Sequence, residues 1–427
     1  MRRRVLIVSP YFPPSTVAGV HRARHLAAHL PAAGWEPTVL CVDEAYHTER
    51  LDPGLANLLP TGIDIVKVPA LPASRMKYLG IGDIGIRAFP YLWRALQEVV
   101  PARKIDVVMI TGSPFYPFLL ARQVKRQLGR PVVLDFQDPW VSKWGGSRTP
   151  LTKAWAAHQL ARWLEPFAVE CADFITSVSE RQNDEFAERY PAFPHERLAA
   201  VPIGGDANDY IYLRAHPPAE REVIMPMDAI NMSYVGTMLP RSEPLLNTVF
   251  AAIAKLAASD EKWVRRLRLN FVGTSNQPSG FGAFKVKAVA EKYGIGRFVS
   301  ETPQRVPYLQ AIDVLANSQA LILIGSDEPH YTASKIYPAL LSGRPILALF
   351  HQASSAFHIL QRAGGARVFG FNTHEELETM TDTIANALRE IALTPETVGA
   401  IDRSVVSAYE ASVIAARYAT IFNRIVV

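Results

Sequence analysis

Two successive series of short apolar, β-branched runs, with helical patterns between the runs, constrain this chain more than any other feature. The first series is Val5–Val8, Pro37–Val42, Ile63–Val68, Asp106–Thr111, Val132–Phe136 and Phe174–Val178. Apolar residues at helical spacing fill the intervals, as in Val20–Leu30, Phe118–Leu128 and Thr152–Cys171. The second series is Asn231–Gly236, Leu267–Gly273, Ala320–Gly325 and Pro345–Leu349, interleaved with Leu245–Ala258 and Val306–Leu315. Strands that alternate with helices form a parallel sheet covered on both faces. The expected fold class is α/β: two tandem doubly wound, Rossmann-like domains facing each other across a cleft. The Pro-, Gly- and Asp-rich segment from Val201 to Asp228 is the natural hinge. In such sheets ligands bind beyond the carboxyl ends of the strands, which makes the cleft the expected site.

Bulk properties narrow the class. A length of 427 residues, 49% hydrophobic and 20% charged, is that of a globular protein with two or three ordinary domains. Cys41 and Cys171 lie far apart and match no metal-ligand spacing, so a disulfide framework is not expected and a reducing cytoplasm fits best. Met1-Arg-Arg-Arg resembles the start of a leader peptide, but the apolar run Val5–Val8 is too short for one. A net charge of +5 favours anionic small-molecule or headgroup partners; nucleic acid is not an expected one.

The loops after the strands carry the chemistry. The first strand runs into Pro13-Pro14-Ser-Thr-Val-Ala18-Gly19, where a glycine at a helix start permits close backbone approach to a ligand. This is not a Gly-x-Gly-x-x-Gly fingerprint, and no Walker loop occurs, which leaves a dinucleotide-dependent oxidoreductase a weak reading. His21, His25 and His29 share one helical face; without carboxylate or thiol partners they read as a solvated or cleft-edge face, and no metal site is expected. Asp135 and Asp138 straddle the end of the fifth strand, in Leu134-Asp-Phe-Gln-Asp-Pro-Trp140. Asp138 either reaches into the cleft or caps the turn ahead of Pro139. In the second half, Gly236-Thr237 and Gly273-Thr274 each follow a strand, Arg241 offers two parallel hydrogen bonds to a phosphate, and the Ser300–Pro307 loop contributes Thr302.

The stretch from His330 to Phe350 reads as a loop, a short helix starting near Thr332 or Ala333, a stop at Gly343 and a buried strand. Free N–H groups at Thr332, Ala333 and Ser334, with Lys335 in the first turn, suit a diphosphate. A solvated lysine on an ordinary capped helix is the alternative. From Ser74 to Val100, Arg75, Lys77, Arg87 and Arg94 lie among Met76, Ile84, Phe89, Leu92 and Trp93. That pattern fits either a peripheral membrane surface or, slightly better, a helix with its apolar side in the core.

These motifs together resemble the GT-B glycosyltransferases, in particular family 4 of retaining, nucleotide-sugar-dependent enzymes. The resemblance rests on the Pro-Pro-x-x-x-Ala-Gly loop, Asp135-Phe-Gln-Asp-Pro-Trp140, Ile203-Gly-Gly-Asp206, Tyr234-Val-Gly-Thr237, and Ser334-Lys-Ile-Tyr337 through Gly343-Arg-Pro345. It implies an acceptor-side domain over 1–205, a donor-binding domain over 206–403, and a terminal helix over 404–427 that crosses back to the first. It also implies a nucleotide-diphosphate sugar donor and a sugar, lipid-linked or small-molecule acceptor.

Under this resemblance Arg241, Lys335 and Asp138 are the candidate catalytic residues. Gly19, Gly236, Thr237, Gly273, Thr302, His330, Thr332, Ala333 and Ser334 are candidates for donor binding, and Gln137 and His21 for orienting sugar or acceptor. No cofactor is expected, and the lack of any Asp-x-Asp motif speaks against a metal-dependent transferase. One departure is plain: the paired glutamates usual in the family are replaced by His330 and Pro338. The donor is then held differently, or its nucleotide needs less ribose recognition, as a deoxyribose would, or transfer has been lost and a nucleotide-sugar-binding protein remains. The retained Thr332, Ser334 and Lys335 favour the first.

Overall fold

The computed structural model describes residues 2–78, 80–147, 149–259, 261–275, 284–328 and 333–426. The chain forms two compact units, Met1–Ile203 with Ala411–Val427, and Gly204–Glu410. His330 and Thr332 lie outside the described residues.

The first unit holds seven strands: β1 (Arg3–Val8), β2 (Trp35–Val42), β3 (Asp64–Val68), β4 (Val107–Gly112), β5 (Val132–Phe136), β6 (Phe174–Ser177) and β7 (Leu198–Ala200). All pair in parallel in the order β3-β2-β1-β4-β5-β6-β7. Val5 through Val8 are all fully buried, as a central strand covered on both faces requires. The order reverses direction between β1 and β4, so the loops after these strands open the switch point where such sheets take ligands. The last helix, Ala411–Ile425, belongs to this unit: Ile414, Tyr418 and Phe422 recur every fourth residue and pack with Trp35, Val5 and Ile7.

Asp135 does not reach toward a ligand. It sits at the centre of a buried knot, paired with Arg22 at 3.2 Å. Its carboxylate also accepts hydrogen bonds from Thr111, Thr176 and Tyr418 at 2.8, 2.9 and 2.7 Å. Arg22 donates further to the carbonyls of Val201 and Pro202 and lies against the Tyr418 ring. The knot thus ties the first helix, Val20–His29, the sheet and the terminal helix together.

The second unit has six parallel strands, β8 (Ile230–Val235), β9 (Leu267–Val272), β10 (Val299–Thr302), β11 (Ala320–Ile324), β12 (Ile346–His351) and β13 (Ala366–Phe371). Their order is β10-β9-β8-β11-β12-β13, with the switch point between β8 and β11. β7, β10 and β13 have no counterpart in the sequence reading. All three are edge strands, and an edge strand covered on fewer sides needs no continuous apolar run.

The Ser74–Val100 segment resolves into short Ala73–Lys77 and long Ile84–Ala102 helices. The long helix turns Ala88, Leu92, Leu96 and Val99 into the core, and Arg87 is buried, donating to the carbonyls of Leu71 and Tyr46 at 2.9 and 3.0 Å. One of the four cations of the expected basic surface is therefore a structural clamp. No helix among the described residues is long and apolar enough to cross a membrane.

Candidate functional site

In the second unit the switch point gathers Tyr234, Gly236 and Lys335. The helix here starts at Ile336, later than the sequence pattern indicated. Ala333 is buried in the core, and Ala333-Ser334-Lys335 form a turn that leads into the helix. The Ser334 and Ala333 carbonyls accept from Tyr337 N–H and Ile336 N–H at 3.2 and 3.1 Å, so those two amides are spent within the turn. Pro338 is tolerated because the first turn of a helix needs no N–H there.

Lys335 is half-buried. Its Nζ lies 4.3 Å from the centre of the Tyr234 ring, donates to the Tyr234 hydroxyl, and is 3.4 Å from the Ile324 carbonyl at the end of β11. No carboxylate among the described residues pairs with it. Burial pushes the ammonium down to about 7. Such a cation is energetically incomplete, and an anion that raises its pKa is its natural complement.

Gly236 faces this lysine. Its φ of +135° is one that side-chain-bearing residues rarely adopt, and a Cβ there would lie 3.7 Å from Lys335 Cδ and 3.9 Å from Nζ. Gly236→Ala is therefore expected to strain the backbone by about 1–3 kcal/mol, read as a lower midpoint in chemical denaturation. Around Gly236 the strand-end loops are stitched together. Tyr234 donates to the Thr237 carbonyl at 2.8 Å, Gly236 N–H to Val272 at 2.9 Å, and Gly273 N–H to Thr302 at 2.8 Å. Gly236, Thr237, Gly273 and Thr302 thus sit on three adjacent strand ends, while Gly273 itself is buried.

Arg241 corrects the sequence picture of a freely available guanidinium. It is partly exposed and bonded to Asp327 at 2.5 Å and Glu328 at 3.2 Å, which raise its pKa. Its charge is already matched, so it meets an anion less effectively than Lys335 does.

In the first unit the switch point gathers Gly19, Gln137 and Thr111. Gln137 is buried, and its Nε2 donates to the Thr111 hydroxyl at 2.6 Å and the Gly19 carbonyl at 3.2 Å. Its Oε1 is buried with no hydrogen-bond partner among the described residues. Gly19 has φ −60°, and a Cβ would meet Ser113 O at 3.5 Å and Gln137 Oε1 at 3.6 Å, ordinary contacts. Packing within the protein therefore does not require glycine there. Asp138 keeps an exposed face, yet the surrounding protein desolvates its carboxyl and pushes it up to about 6. His21 is half-buried beside His25, with ring centres 5.9 Å apart. His25 is buried, and burial followed by the Arg24 charge holds it well below the usual imidazole value. The His21–His29 face is thus partly core.

Four participants escaped the sequence reading. Tyr234 was legible only as an aromatic two residues before the strand-end glycine. Thr111 gave no signal beyond closing a strand. Asp327 and Glu328 lie 86 and 87 residues from Arg241, and no local pattern joins them.

Residues 18–204 match the glycosyl transferase 4-like domain family. No curated protein matches the sequence. Among solved structures, sucrose-phosphate synthase from Thermosynechococcus elongatus is similar at a TM-score of 0.66 and 14% identity, over 99% of both chains. HepE from Anabaena, solved with UDP and glucose, matches at 0.61 and 13%, over 99% of this chain and all of that one. A UDP-forming α,α-trehalose-phosphate synthase from Burkholderia xenovorans matches at 0.60 and 12%, over the whole of both chains. Two doubly wound units with these likenesses define the GT-B fold. The chain has that fold, and its first unit carries the stretch that matches the glycosyl transferase 4-like domain.

Proposed function

We propose that the protein moves a sugar from a UDP-, TDP- or GDP-sugar to a hydroxyl acceptor with retention at the anomeric carbon, in polysaccharide, glycolipid or natural-product glycoside synthesis. The observation that carries this reading is Lys335, a half-buried cation over Tyr234, beside Gly236, with no carboxylate paired to it among the described residues. Its neighbour in fold, HepE from Anabaena, was solved with UDP-glucose, which supports a donor of this class.

In this reading the Lys335 charge meets the negative charge that develops on the departing diphosphate, and stabilisation greatest in the transition state is what accelerates transfer. The leaving phosphate oxygen takes the acceptor's proton, so no dedicated side-chain base is needed. Gln137, with its buried Oε1 unsatisfied, offers an acceptor for a sugar hydroxyl, and Asp138 and His21 help to orient the sugar or acceptor. Gly236, Thr237, Gly273, Thr302 and Ser334 line the donor. We place the reaction in the cytoplasm and without an essential metal: incubation with EDTA is expected to leave turnover unchanged. Loss of activity restored by Mg²⁺ or Mn²⁺ would reverse that statement.

A thermal-shift screen against nucleoside diphosphates and their sugars, followed by assays of nucleotide release with candidate acceptors, tests the proposal. Stabilisation with acceptor-dependent release supports transfer. The matched charge of Arg241 favours a second reading, a protein that binds nucleotide sugars without transferring them. Binding with no release under any acceptor would select it.

A further inference from the structure

The Lys153–Val169 helix buries a mixed face, His158, Ala161, Glu165, Ala168 and Val169, and exposes an apolar stripe. Its buried residues include His158 and Glu165; the Glu165 carboxylate accepts from Val141 N–H at 3.1 Å, Tyr190 at 2.9 Å and Arg189 at 3.3 Å. On the opposite side Ala156, Leu160, Trp163 and Phe167 are all exposed and follow one another at spacings of three and four, which forms one stripe. Leu160, Trp163 and Phe167 are 40%, 64% and 41% exposed, and the two aromatic rings meet edge to face with centres 5.6 Å apart. Just before the helix, Leu151 is 92% exposed. Among the described residues no other helix carries more than one large apolar side chain so exposed.

The surround is cationic. Lys153 and Arg162 are exposed on the helix itself. Arg122, Lys125 and Arg126 are exposed on the segment beginning with the Leu120–Gln123 helix, which packs against this one. Of the nearby acids, Asp173 is bonded to Lys125 at 2.6 Å, and Glu170 stands exposed at the helix end.

We propose that this helix face docks on an anionic lipid bilayer. Trp and Phe favour the boundary between headgroups and acyl chains, and the basic rim supplies attraction to anionic headgroups. A second copy of the chain would bring like-charged rims together, which the charge pattern disfavours. The proposal concerns a surface distinct from Lys335 and Gln137, and it stands whether or not the transferase reading does.

The test is co-sedimentation of the full chain with vesicles of phosphatidylcholine alone and of phosphatidylcholine mixed with phosphatidylglycerol. Wild type is expected to pellet with the mixed vesicles and to be released by salt. Trp163→Ala/Phe167→Ala is expected to bind about tenfold more weakly, with an unchanged melting temperature. Arg122→Glu/Arg126→Glu, which leaves the aromatic stripe intact, is expected to lose binding as well. Wild type remaining in the supernatant, or both variants pelleting like wild type, overturns the proposal. Self-association abolished by the aromatic variant, without vesicle binding, overturns it in favour of a face between copies.

Discussion

Lys335→Ala is expected to lower kcat/KM for sugar transfer by about 10²–10³-fold, measured as nucleotide release, while leaving the protein at least as stable as wild type. The two halves of this expectation have one cause. Lys335 is held by a ring face, a hydroxyl and a carbonyl, with no carboxylate partner among the described residues, so the folded chain bears the cost of desolvating its charge. The aromatic face of Tyr234 offsets part of that cost.

The sign of the pH dependence follows. Below about 7 the ammonium is charged in both the folded and the unfolded chain, and the cost is fully present. Between about 7 and the ordinary lysine value of 10.5 the folded chain binds fewer protons than the unfolded one, so stability rises with pH across that window. Lys335→Met, which keeps the aliphatic stem, is therefore expected to be more stable than wild type at pH 7, with the gain fading toward pH 10.5. A bound diphosphate acts in the opposite sense. It favours the charged form, so binding at pH 8 should take up a proton and affinity should fall as pH rises. Calorimetry in buffers of different ionisation enthalpy reads this directly.

Asp135→Ala is the largest expected loss of stability. Removing one partner of a buried ion pair costs about 3–5 kcal/mol, because the remaining charge keeps its desolvation cost without its counter-charge. Here Arg22 and Asp135 are both fully excluded from solvent. The same substitution also leaves Thr111, Thr176 and Tyr418 without their shared acceptor. Chemical denaturation should show a lower midpoint for the first unit, and protease should reach the Ala411–Ile425 helix once the Tyr418 anchor is lost. An unchanged midpoint would mean that the knot contributes nothing.

Much of the architecture was legible because a doubly wound sheet writes its central strands as continuous apolar runs. Val132–Phe136 was bounded correctly from sequence for that reason. The edge strands were not legible: β10 reads Val-Ser-Glu-Thr and β7 only Leu-Ala-Ala. The site was partly legible. Glycine after a strand marks a loop that must approach something closely, and Gly236 does lie against Lys335. Charge pairing across long sequence separations was hidden, as Asp327 and Glu328 on Arg241 show. Asp135 and Asp138 are alike in sequence, yet one is a buried structural anchor and the other an exposed residue with a desolvated carboxyl, unpaired among the described residues, because Asp135 lies within β5 and Asp138 beyond its end.

The most direct measurement is a crystal structure of the full chain with a bound nucleoside diphosphate. The predicted result is a diphosphate within hydrogen-bond reach of Lys335 Nζ, with the loop at Gly236 and Thr237 alongside it. A diphosphate held by the first unit, or by the second with Lys335 still turned onto Tyr234 and out of reach, would contradict the account.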